Sequence, residues 1–303
     1  MKILYMGTPE FATAPLRRLI EDGHNLVGVF TQKDKPQNRG MKLKPSPVKA
    51  LALSEGISVF TPDTLREPAV VEEIKALAPE LIVVAAYGKL LPEKILNLPP
   101  LGCINVHTSL LPKLRGAAPI QWAILNGETE TGVTIMHMAK ALDAGDIIAA
   151  ERLEIGPNET AEQLHDRLMV LGADLLSRTV EAIGQGTATR TPQDEAQATY
   201  APMLSRSLSP MDFGRPAKQL HDQVRGLFPW PGASMEWKGR RLKVLETRLT
   251  GEHTQMDPGQ VVRGDGEGLR MACGNGSVLL ITRLQAEGGK KMSAGDYLRG
   301  HAL

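Results

Sequence analysis

Short apolar runs alternate with amphipathic stretches through the first half of the chain. Ile3–Met6, Leu26–Phe30, Leu81–Ala86, Cys103–Val106 and Val133–Met138 read as strands, and Phe11–Glu21, Pro92–Leu98 and Pro119–Asn126 read as helices. That rhythm predicts a parallel sheet with helices on its faces. Residues 160–186 predict a long helix whose Leu164, Leu168, Leu171, Leu175 and Leu176 share one core-facing stripe. Gly184 to Thr199 is rich in Gly, Thr, Gln and Ala and poor in large apolar residues, the composition of a linker. A helix at Pro216–Leu227 and a sharp turn at Phe228-Pro229-Trp230-Pro231-Gly232 follow, with Trp230 expected to anchor the core. Alternating runs at Ala233–Trp237, Leu242–Leu249, Gln260–Arg263, Leu269–Ala272 and Ser277–Leu284 then predict a small OB-like β-barrel. The fold class is therefore α/β: a Rossmann-like parallel-sheet domain over 1–189, a linker over 190–205, and a β-barrel domain over 206–303.

With 303 residues, 42% of them hydrophobic and 23% charged, the chain has enough length and apolar content for two cores. No apolar run approaches the roughly 20 residues of a spanning helix. The opening Met1-Lys2-Ile3-Leu4-Tyr5-Met6-Gly7 reads as a strand and not a signal peptide, so a cytoplasmic protein without membrane contact is expected. Cys103 and Cys273 lack disulfide or zinc spacing and read as buried small hydrophobes. The seven histidines show no metal-ligand spacing either, so no metal is expected.

The net charge of +1 conceals an asymmetry. Residues 206–303 carry 15 Lys and Arg against 10 Asp and Glu, and the first 205 carry 20 against 24. Six of those 20 (Lys33, Lys35, Arg39, Lys42, Lys44 and Lys49) fall in one stretch. Most of it is a loop from Thr31 to Pro47, too long and too charged for a mere connector. Its cations around Gly40 suit a phosphate backbone. The barrel adds Lys238, Arg240 and Arg241 on a face suited to nucleic acid.

The chemistry concentrates elsewhere. In Asn105-Val106-His107 the two polar residues are one apart, so on a strand both leave the same face. An amide donor beside an imidazole suits acyl-type transfer: the amide stabilises a developing oxyanion, and the histidine moves protons. Asp143, in Leu142-Asp143-Ala144-Gly145-Asp146, can set the imidazole's charge and orientation. Cys103 alternates onto the same face, which raises a covalent acyl-cysteine as a minor alternative to direct attack on the acyl carbon. The turn Gly7-Thr8-Pro9-Glu10-Phe11 lacks the G-x-G-x-x-G spacing of a dinucleotide site. In open α/β sheets ligands gather beyond the carboxyl ends of the strands. There Tyr87-Gly88-Lys89-Leu90, Asn105–Pro112 and Asp143 are expected to converge.

These residues resemble the folate-dependent formyltransferase family, whose pattern is Asn-x-His, Ser-Leu-Leu-Pro and a distant Leu-Asp-x-Gly. The resemblance extends in order from Met6-Gly7-Thr8-Pro9-Glu10-Phe11 through Pro45-Ser46-Pro47-Val48-Lys49 to Phe228-Pro229-Trp230-Pro231 and Lys291-Met292-Ser293. Within the family it looks most like the enzymes that act on a charged tRNA. That implies 10-formyltetrahydrofolate as donor and the α-amine of methionine esterified to initiator tRNA as acceptor. It implies Asn105, His107 and Asp143 as catalytic residues, Ser109, Leu110, Leu111 and Pro112 as folate contacts, and Tyr87, Gly88, Lys89 and Leu90 flanking the pterin. Arg39 takes the family's position for probing the end of the acceptor stem, with Lys42, Lys44, Lys238, Arg240 and Arg241 as further tRNA contacts. A two-domain chain of this kind fits a monomer. Two alternatives stand beside this reading: a small-amine acceptor, which needs neither the cationic loop nor the basic barrel, and a non-catalytic RNA-binding protein, which needs no intact Asn105, His107 and Asp143.

Overall fold

The computed structural model describes residues 1–37 and 42–301. The chain divides into two compact units, one of Met1–Gly116, Thr131–Leu153 and His165–Tyr200, the other of Ala117–Glu130, Glu154–Leu164 and Ala201–Leu303. In chain order the elements begin with β1 (Lys2–Gly7), α1 (Thr13–Glu21), β2 (Asn25–Phe30), β3 (Lys35–Gln37), β4 (Lys42–Lys44) and α2 (Pro47–Ser54). Next come β5 (Val59–Phe60), α3 (Pro68–Leu77), β6 (Leu81–Ala85), α4 (Glu93–Leu96), β7 (Cys103–His107) and β8 (Arg115–Gly116). Then follow α5 (Pro119–Leu125), β9 (Glu130–His137), β10 (Ile147–Glu154), α6 (Ala161–Gly184), β11 (Tyr200–Ala201) and α7 (Ala217–Gly226). The last are β12 (Ala233–Trp237), β13 (Arg240–His253), β14 (Val261–Gly264), β15 (Leu269–Ala272), β16 (Ser277–Ala286), β17 (Lys291–Ser293) and α8 (Ala294–Gly300).

The first unit is built on a seven-stranded sheet in the order β10-β9-β7-β6-β1-β2-β5. From β7 to β5 every pairing is parallel, as the strand–helix rhythm predicts. The expected parallel sheet is corrected at β9, which runs antiparallel to β7 with Ile104 opposite His137 and His107 opposite Thr134. The connection from β7 to β9 contains β8 and α5 and is long enough for the strand to enter the sheet in either direction, so an antiparallel return is open to it. One face packs Leu4, Phe30, Ile74, Ile82, Val84, Ile95 and Cys103 together under α3 and α4. The leucine stripe of α6 is buried as expected at Leu164, Leu168, Leu175 and Leu176. The charged loop after β2 contains a short antiparallel hairpin, β3 against β4, before Ser46 caps α2 by accepting from the Lys49 N–H.

The second unit carries an antiparallel sheet in the order β12-β13-β16-β15-β14, with β17 added to β16. β13 pairs along much of β16, and register shifts near Val244, Glu246 and Leu249 are bulges that bend the strand round its core. That core gathers Met235, Trp237, Leu242, Met271, Ile281 and Tyr297. Trp230 corrects the expectation of a core anchor, because it is 53% exposed. The anchoring position belongs to Leu227, which is fully buried against Ala118 and Leu204 at the end of α7. Among the described residues no helix is long and apolar enough to cross a membrane.

Candidate active site

Strand β7 puts Asn105 and His107 on one face by simple alternation, with the neighbouring Val106 turned to the other. His107 is buried, and its ring is oriented from one side: Nε2 lies 3.0 Å from the Leu114 carbonyl. A carbonyl oxygen only accepts, so this bond places the proton on Nε2 and leaves Nδ1 as the nitrogen that can exchange one. Nδ1 faces Asp143, whose Oδ2 is 3.7 Å away, an ion-pair distance too long for a direct hydrogen bond. The same Oδ2 accepts the Gly116 N–H at 2.8 Å, which fixes the carboxylate. The side chain of Asn105 is half-buried and takes no hydrogen-bond partner among the described residues. A donor so placed is ready for a ligand oxygen.

Asp143 arrives by a route that the strand pattern did not suggest. The loops after β6 and β7 leave the sheet at its carboxyl edge, but β9 runs the other way, so the β9–β10 loop emerges at the opposite end. The loop starts beside Cys103, where the Met138 N–H donates to the Cys103 carbonyl, and folds back so that Asp143 reaches His107 and Gly116 at the carboxyl end of β7. Asp143 adopts a left-handed φ of 48°. At Gly145 a Cβ would fall 1.8 Å from the His137 carbonyl oxygen, so no larger residue fits where the loop turns back against β9. That is the physical content of the Asp-x-Gly spacing.

The segment after β7 is tied down by its own polar groups. Thr134 Oγ1 donates to the Ser109 carbonyl at 2.7 Å and accepts the Leu111 N–H at 3.2 Å. Ser109 is fully buried, and its hydroxyl donates to the Lys113 carbonyl at 2.6 Å. Ser109 and Leu111 therefore shape the loop, while Leu110 and Pro112 retain exposed surface. The expected pterin-flanking residues divide in the same way. Tyr87 is buried, with its carbonyl accepting from Gln32 Nε2 and Thr8 Oγ1, and burial pushes its phenol up to about 12. Gly88 has φ 79°, and a Cβ there would meet Gln32 Nε2 at 2.4 Å. Lys89 Nζ donates to the carbonyls of Pro62 and Asp63, and Leu90 is left 72% exposed. Cys103 shares the face of Asn105, but it is buried against α4 and burial pushes its thiol to about 12. It is a packing residue and a poor nucleophile.

Sequence reasoning missed a second ring of residues. Arg115, buried on β8, is held by Gln193 and by both oxygens of Glu195. Gln193 and Glu195 lie in the stretch read as a linker, which is fixed to the sheet by Thr191 pairing with Ile147 and by the Arg115 N–H donating to the Thr199 carbonyl. The only signal for them in the sequence is an arginine directly before Gly116, which is not diagnostic.

Of the expected nucleic-acid contacts, Arg39 lies outside the described residues. Lys42 and Lys44 belong to β4. Lys238, Arg240 and Arg241 are brought together at the tight turn joining β12 to β13, where Lys238 and Gly239 both take positive φ. Arg241 also donates to Ser234 Oγ at 3.3 Å, and Arg240 Nη1 lies 3.1 Å from His301 Nε2.

The sequence profile of the formyl transferase family matches residues 1–180, and that of the formyl transferase C-terminal domain matches residues 204–302. The chain is 47% identical to the methionyl-tRNA formyltransferase of Alkaliphilus oremlandii (strain OhILAs), over all of this chain and 97% of that protein. It is likewise 47% identical to the enzyme of the same name from Trichlorobacter lovleyi, covering 95% of it. Among solved structures, WlaRD, a sugar 3N-formyl transferase crystallised with dTDP and 5-N-formyl-THF, shares the fold at a TM-score of 0.71 and 18% identity, over 94% of this chain and 97% of that one. HypX from Aquifex aeolicus in complex with tetrahydrofolic acid matches at a TM-score of 0.62 and 18% identity; 98% of this chain aligns with 47% of HypX, about half its length.

Proposed function

As a member of the formyl transferase family, whose two domain profiles match residues 1–180 and 204–302, this chain is a formyl-transferring enzyme, and we propose that it carries the formyl group of 10-formyltetrahydrofolate to the α-amine of methionyl initiator tRNA. The carrying observation is 47% identity over the whole chain to proteins named for that reaction, against 18% to sugar formyl transferases that share the fold. On this reading residues 1–189 are the catalytic domain, 190–205 the connection and 206–303 the tRNA-binding domain. The enzyme acts as a monomer.

The donor supplies the formyl carbon, and its nitrogen must gain a proton as the carbon–nitrogen bond breaks. The amine attacks directly, so no protein nucleophile is needed. Asn105 Nδ2 donates to the oxygen of the formyl group as negative charge grows on it. One such donor contributes roughly 3–4 kcal/mol to lowering a barrier of this type. His107 Nδ1 moves the proton between the attacking amine and the leaving nitrogen, because Nε2 is committed to Leu114. Asp143, fixed by the Gly116 N–H, stands 3.7 Å from Nδ1 and holds the ring in register during the transfer. Leu110, Pro112 and Leu90 retain apolar surface beside this centre for the flat ring of the folate, on loops that leave the same edge of the sheet.

The test is to replace His107 and Asp143 separately by alanine and to measure turnover and folate binding in each. Turnover should fall by about 10²–10⁴-fold for His107, with folate affinity nearly unchanged. Near-normal turnover in either variant removes that residue from the reaction.

A further inference from the structure

Besides a weak contact of its Nε2 with Met136 Sδ at 3.9 Å, the Gln193 amide makes four hydrogen bonds, two to the loop that carries Asp143 and two to Arg115. Nε2 donates to the Asp143 carbonyl at 2.8 Å and to the Gly145 carbonyl at 2.7 Å. Oε1 accepts from Arg115 Nη2 at 2.8 Å and Nε at 3.1 Å. The orientation of this amide is unambiguous, since a flip would set NH₂ against the guanidinium and the oxygen against two carbonyls. Arg115 is itself clamped by Glu195 through two bonds, and it directly precedes Gly116, whose N–H holds the Asp143 carboxylate. Asp143 is thus gripped at both ends, its carbonyl by Gln193 and its side chain by the residue after Arg115. The grip is needed because Asp143 has a left-handed φ of 48°, a conformation that costs about 1 kcal/mol or more in a non-glycine residue.

We infer that Gln193, supported by the Arg115–Glu195 pair, is a positioning residue for the reaction: it holds the Asp143 loop at the distance from His107 that catalysis uses. The inference rests on the role given above to Asp143. Gln193 touches no reacting atom. It acts by fixing where the carboxylate stands, and displacement of a catalytic group by about 1 Å can cost 10²-fold in rate.

The decisive experiment is a double-mutant cycle on the full chain, with kcat and both KM values measured for Gln193→Leu, Asp143→Ala and the pair, and thermal unfolding recorded for each. Gln193→Leu should lower kcat by on the order of 10²-fold and leave KM for folate and acceptor within about threefold. Added to Asp143→Ala it should cost no further kcat, because a residue that acts only through Asp143 has nothing left to position. Gln193→Glu keeps the size and the Arg115 contact but loses both donors to the loop, so it should fall as far as the leucine variant; it also serves if that variant does not fold. A fully active Gln193→Glu, or losses that simply add in the double variant, overturns the inference while leaving Asp143 in place. A fully active Asp143→Ala overturns the reading of the site itself.

Discussion

Replacing Asn105 by alanine separates chemistry from folding cleanly. The backbone of Asn105 is locked in the sheet between Val84 and Met136, and its side chain takes no hydrogen-bond partner among the described residues. Truncation therefore breaks no intramolecular bond and leaves no partner orphaned, so stability should change by about 0.5 kcal/mol or less. For a chain of this size such a change moves the melting temperature by roughly 2 °C or less. Turnover should respond very differently. Losing one donor to a developing oxyanion costs about 2.7–4 kcal/mol of barrier, a fall in kcat of roughly 10²–10³. Asn105→Asp, nearly isosteric, should be at least as slow, because it sets a carboxylate against the same growing charge. Single-turnover formyl transfer beside thermal unfolding measures both quantities. Turnover within about threefold of the parent at unchanged stability would refute the oxyanion role. A collapse of stability together with activity would mark the amide as structural.

Cys103→Ala should keep full turnover, and in the folded protein the thiol should resist alkylation at pH 8, being buried with its pKa pushed to about 12; loss of activity would reopen a covalent route. Neutralising Lys238, Arg240 and Arg241 together should weaken tRNA binding and reduce the slope of log affinity against log salt by about 2–3, at roughly 0.7–0.9 per lost phosphate contact; an unchanged slope would remove this turn from the RNA path. His221 is buried, with Nδ1 2.9 Å from the Thr247 hydroxyl and Nε2 3.0 Å from the Pro157 carbonyl, and burial, helped by the Arg225 charge, holds its pKa below the usual imidazole value. A lowered folded-state pKa gives stability that is complete above the unfolded value of about 6.5 and is lost as the pH falls below it. The denaturation midpoint should therefore drop on acidification from pH 7 to 5, less steeply in His221→Gln; equal slopes would exclude this residue as a source.

The sheet and the central pair of the site were legible because both depend on local pattern. Apolar runs of strand length locate β1, β2, β6 and β7 to within a residue or two, and alternation alone puts Asn105 and His107 on one face. The reversal of β9 was not legible, because an apolar strand reads the same in either direction and the connection from β7, which contains α5, is long enough for either. The path of Asp143 across the sheet follows from that reversal. Trp230 misled because a tryptophan between prolines suggests an anchor, whereas Leu227, one helical end earlier, fills the core. Gln193 and Arg115 were invisible for a different reason. They are a long-range polar pair 78 residues apart, and neither residue type nor composition announces a partner at that distance.

Formyl transfer from 10-formyltetrahydrofolate, followed in parallel with methionyl initiator tRNA, methionyl elongator tRNA, free methionine and an amino-sugar nucleotide, tests the central claim most directly. The account predicts rapid transfer to the initiator tRNA alone. Transfer to the sugar or to free methionine at a comparable rate, with the initiator ignored, would contradict it.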